Sequence, residues 1–229
     1  MVGAYFNEGT FDFLDRLADN NQREWFHEHK AFYEGCVRDP ALRLITDVAE
    51  ELPHLSPHFV AIPKKVGGSL MRVHRDTRFG KDKTPYKTNI GIQFRHALGK
   101  DVHAPGYYLH ISSHECFFGA GIWRPDAPSL AKIRARITEK EAEWIKARDH
   151  KPFQKQYQIS GESLKTSPRG FSKDHLMIED IRRKDFIAIH DFSPELACSK
   201  KLKSEMMKRF ADATPYMRFL CHALELQFD

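Results

Sequence analysis

The residues of this chain best suited to chemistry sit together in one segment, residues 72–87. It reads Arg72-Val73-His74-Arg75-Asp76-Thr77-Arg78-Phe79-Gly80-Lys81-Asp82-Lys83-Thr84-Pro85-Tyr86-Lys87. Guanidinium and ammonium groups held this close repel one another unless an anion sits among them. Arginine adds planar, paired donors that match phosphate or carboxylate. Arg72, Arg75, Arg78 and Lys83 are the candidate anion ligands, with Asp76 to orient the arginines and Phe79 and Tyr86 to shape the pocket. A catalytic reading of the same segment makes Asp76 or His74 an acid or base, or lets Asp76 or Asp82 hold a hard cation. A structural reading stands beside both. In it Arg75-Asp76 and Asp82-Lys83 are internal ion pairs, and Phe79 and Tyr86 are core anchors.

The charge distribution supports attention to this segment. From Lys64 to Lys87 there are eight bases and two acids, +6 locally, whereas all 229 residues carry a net +5. The remainder is therefore close to neutral, and the positive field is local. Such a patch also admits nucleic-acid phosphates, although no nucleic-acid-binding motif accompanies it.

Other candidates are weaker. His27 and His29 are two residues apart on an expected helix and point to different faces, which argues against a shared metal. His110, Ser112 and His114 alternate onto one face of an expected strand, with the two histidines about 13 Å apart. They favour a structural role, with proton transfer as the alternative. Asn20 or Asn21 reads as a cap, and Ser172 or Asp174 as the cap of a short helix over 177–181. The four cysteines, Cys36, Cys116, Cys198 and Cys221, form no CxxC pair and read as reduced, mostly buried thiols. No P-loop, zincin or serine-hydrolase signature occurs, and Gly119-Ala120-Gly121 lacks the context of a dinucleotide fingerprint. The sequence identifies no cofactor and no metal site.

The elements that must position the motif follow from hydrophobic period. Helices are expected over 10–18 with Thr10 as cap, over 23–34, and from Pro40 to about residue 52. The period then shortens. Strands are expected over 70–73, 89–94, 107–112, 116–123 and 185–192, the third and fourth forming a hairpin. A helix spans 126–149, loops occupy 150–174, and a last helix starts at Pro194 and bends at Pro215. The fold class is α+β: a central, mainly antiparallel sheet with helices packed around it, in a single domain over 1–229. The apolar fraction of 41% suffices for a core. No run of about 20 apolar residues and no basic-then-apolar leader is seen, so the expectation is a soluble, cytoplasmic protein without membrane partners.

The pattern Arg-x-x-Arg-Asp-x-Arg-Phe-x-x-Asp-Lys-x-x-Tyr, carried here by Arg72, Arg75, Asp76, Arg78, Phe79, Asp82, Lys83 and Tyr86, resembles the signature of domain-of-unknown-function family 2461, found in bacteria and in longer fungal proteins. Phe13-Leu14, Asn20-Asn21, Arg23-Glu24-Trp25-Phe26, Pro168-Arg169-Gly170-Phe171 and Asp174-His175 are also similar to it. The resemblance implies one full-length domain with the central motif as its focus, and it implies no activity.

Overall fold

The computed structural model describes residues 3–78, 81–99 and 103–229. Five strands form one antiparallel sheet: β1 (Ile90–Arg95), β2 (Gly106–Ile111), β3 (Cys116–Ile122), β4 (Gln158–Ser160) and β5 (Phe186–Asp191), in the spatial order β1-β2-β3-β5-β4. Alternation gives the sheet an inner face of Ile92, Phe94, Tyr107, Leu109, Phe118, Ala120, Phe186 and Ala188, all buried. Helices α4 (Asp39–Glu51), α10 (Leu202–Asp212) and α11 (Thr214–Ala223) cover that face. Phe210 of α10 sits over three strands, stacked on Tyr107 at 4.6 Å and edge-on to Phe94 and Phe118 at 5.9 and 6.3 Å. Truncating a buried ring with so many neighbours costs about 3–5 kcal/mol. The α+β class and its antiparallel sheet agree with the expectation.

The N-terminal helices form the layer beside the motif. Helix α1 (Glu8–Asp19) buries Thr10, Phe13, Leu14 and Leu17. Its cap is Asn7 and not Thr10. Thr10 lies three residues further in, where its hydroxyl accepts the Asn7 N–H at 3.2 Å. That hydroxyl also donates to the Cys36 carbonyl at 2.7 Å. Pro40 lies four residues beyond Cys36 and has no N–H to offer it, so Thr10 supplies the missing donor. The expected single helix over 23–34 is two short ones, α2 (Arg23–Glu28) and α3 (Lys30–Tyr33), broken at His29 and followed by a π-helical turn, Glu34–Arg38, that leads into α4.

Several boundaries differ from the periodicity reading. The expected 126–149 helix breaks at Lys140 into α5 (Ala127–Glu139) and α6 (Glu141–Arg148). Helix α7 (Lys151–Gln156) and β4 occupy the expected loop, too short to show a period. Helix α8 (Ile178–Ile181) starts from Met177, whose N–H is taken by His175 Nδ1 at 3.0 Å, so neither Ser172 nor Asp174 caps it. The last helix is three: α9 (Pro194–Ala197), then α10 and α11, with Pro215 in the first turn of α11 instead of at a bend. All four cysteines are free, and three of them are buried. Among the described residues no helix is long and apolar enough to cross a membrane.

Candidate functional site

Residues 70–73 do not form a strand. They belong to a two-legged arm along the outer edge of β1, held by isolated pairings of Leu70 with Ile92 and His74 with Tyr86. Met71 N–H donates to Gly91 O at 2.9 Å, and Gln93 N–H to Ser69 O at 2.8 Å. Further out, Arg75 N–H donates to Pro85 O and Lys87 N–H to Val73 O, both at 2.8 Å. The tip beyond them carries the charged residues. Burial still alternates along the outgoing leg, with Arg72, His74, Asp76 and Arg78 exposed and Val73, Arg75 and Thr77 half-buried.

The backbone of the arm is tied to the helical layer through Asn21. Asn21, between α1 and α2, donates from Nδ2 to Tyr86 O at 3.0 Å and accepts the Tyr86 N–H on Oδ1 at 3.0 Å. Neither asparagine caps α2, whose N-cap is Gln22; Asn20 instead ends α1, its Nδ2 donating to Arg16 O at 2.9 Å. The Tyr86 ring is buried and stacks on Phe26 at 4.1 Å, with His74 at 5.2 Å. A cleft of about 500 Å³ opens between arm and helices, lined by Arg23, Glu24, Phe26, His27, Lys30, His74 and Tyr86. His27 faces this cleft. His29 instead stacks on Trp25 at 4.1 Å and caps its carbonyl, so the two histidines share no site.

Within the tip the ion pairs form in a different pairing from the sequential one. Arg78 grips Asp76 with both prongs, Nε to Oδ1 at 3.0 Å and Nη2 to Oδ2 at 2.7 Å, and its N–H adds a third bond at 3.2 Å. These bonds hold the Asp76 carboxyl well below the usual carboxylate range. A carboxylate so engaged accepts a proton poorly. Arg75 Nη1 bonds Asp82, which also accepts the Thr84 N–H and hydroxyl at 2.9 and 2.8 Å. The Thr84 bonds, and then the Arg75 charge, lower the Asp82 carboxyl. Lys83 Nζ donates to Thr77 O at 2.8 Å. Phe79 lies outside the described residues.

Three cations of the arm, Arg72, Lys81 and Lys87, are not engaged in this way. Their side chains have no hydrogen-bond or ion-pair partner among the described residues, and Lys81 stands exposed at the tip. Lys87 is half-buried, and burial, followed by the charges of Arg72 and Arg75, pulls its ammonium below the ordinary lysine value. Lys87 closes the basic run of the sequence, where nothing sets it apart from the other bases. Sequence spacing gives no measure of burial, which is what distinguishes it. Asn21 was missed because its partner lies 65 residues away.

Ser112 is half of the β2–β3 turn, its hydroxyl donating to Glu115 O at 3.0 Å, so strand alternation stops before His114. Only His110 remains on the sheet. The described residues hold no cluster of three or more potential metal ligands.

A family model described as conserved hypothetical protein (DUF2461) matches residues 9–219 of the chain. No curated protein matches it, and no solved structure matches it.

Proposed function

We propose, from the premise that the chain belongs to the conserved hypothetical protein family DUF2461, that it binds a small anionic ligand, a phosphate or carboxylate, at the root of the arm. The observation that carries this reading is Lys87, a half-buried cation with no acceptor among the described residues, beside Arg72 and Arg75. Burying an uncompensated charge is costly, and a ligand anion repays that cost where a solvated surface lysine would incur none. Arg75 shares its charge with Asp82, which leaves about two positive charges for the ligand and suits a dianion.

In this account Arg78, Asp76, Lys83 and Thr84 shape the tip, and Tyr86 anchors it to α2. Arg72 and Lys87 make the contacts, with Arg75 between its two tasks. His74 stands on the cleft side beside Tyr86.

The test is thermal unfolding with inorganic phosphate and with citrate, on wild type, Arg72→Ala, Lys87→Met and Arg78→Ala. A ligand that binds only the folded chain raises Tm as its concentration exceeds Kd. Saturable stabilisation of wild type, lost in Arg72→Ala and Lys87→Met, is the expected result. Equal stabilisation of all four proteins would refute the site. Binding of oligonucleotides with a steep salt dependence, and no response to small anions, would assign the patch to nucleic acid.

A further inference from the structure

The sheet face opposite α10 carries a second group of polar side chains, close to the same cations. The two legs of the arm are unequal. Between the paired positions Leu70 and His74 the chain advances four residues, whereas between Tyr86 and Ile92 it advances six. The return leg thus carries two extra residues, and bulges of this kind re-aim side chains. Asn89 lies in this stretch, and its Nδ2 comes within 3.5 Å of His110 Nδ1 on β2. Tyr108 Oη also comes within 3.5 Å of that nitrogen.

The arrangement has been given room. A Cβ on Gly91 would stand 2.5 Å from Tyr108 Oη, so the phenol reaches His110 only because residue 91 is glycine. The imidazole is fixed by stacking on Phe117 at 4.7 Å, with an interplanar angle of 5°. It is thus held in place by packing, while its polar contacts are all long. Both neighbours of Nδ1 are at the outer limit of hydrogen bonding, and Glu115 Oε1 stands 3.6 Å from Nε2. Asn89 and Tyr108 bond each other, while both stay at long range from His110 Nδ1, so these half-buried polar groups keep hydrogen-bonding capacity for a ligand.

Lys87 is two residues from Asn89, so their Cα atoms are at most about 7 Å apart. We infer that Asn89, Tyr108 and His110 form the second half of the anion site, taking hydroxyl groups of the same ligand, and that the ligand class is a phosphorylated sugar. The inference rests on the anion reading of Arg72 and Lys87. A sugar phosphate places hydroxyls a few bonds from a dianion, and its C–H faces suit the half-buried rings of Tyr108 and Phe117 beside the polar cluster.

The experiment compares binding of ribose 5-phosphate and inorganic phosphate by calorimetry, on wild type, Tyr108→Phe, His110→Gln and Lys87→Met. Tyr108→Phe removes one hydroxyl and keeps the ring, so it preserves the fold. Wild type is expected to bind ribose 5-phosphate at least about fivefold more tightly than phosphate, the gain of one hydrogen bond. Tyr108→Phe and His110→Gln lose that preference and keep phosphate affinity, and Lys87→Met loses both. If wild type shows no preference, or the Tyr108 and His110 variants retain it, this subsite is refuted while the anion reading stands. If neither probe binds wild type, the anion reading falls and takes this inference with it.

Discussion

Replacing Asn21 with alanine removes the two bonds that tie the arm to the helical layer. Both run to the backbone of Tyr86, whose side chain is 5% exposed. The substitution leaves one N–H and one C=O without partners in a part-buried position. At about 1–1.5 kcal/mol for each, the loss is about 2–3 kcal/mol. For a chain of this size that lowers Tm by roughly 5–10 °C. Asn21→Asp keeps the acceptor for the Tyr86 N–H and loses the donor to Tyr86 O, so about half the loss is expected. Asn20→Ala, whose amide caps α1 on the exposed surface, serves as the control and loses less than either. Urea unfolding of the four proteins gives the values from the midpoint shifts. An Asn21→Ala protein within 0.5 kcal/mol of wild type would refute the claim that this amide fastens the arm.

Other substitutions test the frame around the site. Gly121 has φ of +128°, and a Cβ there would lie 1.9 Å from Phe186 O on the neighbouring strand, so Gly121→Ala should cost at least about 3 kcal/mol in urea unfolding. Asp180 is buried and accepts from Trp144 Nε1 at 2.8 Å and Arg148 Nη1 at 2.6 Å. Asp180→Ala strands both donors, and a loss of about 3–5 kcal/mol is expected from chemical denaturation. His96 is buried, accepts the Leu98 N–H on Nδ1 at 3.2 Å and stands 2.9 Å from Gln227 O through Nε2, which assigns the proton to Nε2. Burial and the neighbouring His58 lower its pKa from 6.5. The native chain then binds fewer protons than the unfolded chain, so the His96 contribution is complete above pH 6.5 and is lost as pH falls through the folded value. Denaturant titrations from pH 7.5 to 5 should show wild type losing more stability than His96→Gln; parallel losses would contradict this.

How much was legible in the sequence depended on distance along the chain. β1, β2, β3 and β5 announce themselves by alternation, because the inner face of the sheet is buried under α4, α10 and α11, and their bounds differ by only a residue or two. The 23–34 segment was misjudged because aromatic residues suggested one helix, whereas the break at His29 is fixed by its stacking on Trp25. β4 has only three residues and was hidden by its length. Hydrophobic period reads a strand over 70–73 where the chain makes only isolated pairings. Internal ion pairs are one of the readings that the composition of the motif admits. Composition cannot choose between sequential and crossed pairing, because that choice is made by the geometry of the tip. Asn21, Asn89 and His110 act through partners that only folding brings near.

The central claim concerns the charge on Lys87, and that charge can be followed directly. The Lys87 side-chain resonance, assigned by its absence in Lys87→Met, should titrate below 10.5 in phosphate-free solution, because burial, Arg72 and Arg75 all disfavour the ammonium. Saturating phosphate should raise that pKa, since a bound dianion offsets the two arginines, and Arg72→Ala should raise it without any ligand. A Lys87 that titrates at 10.5 in all three conditions would contradict both the desolvated cation and the anion site built on it.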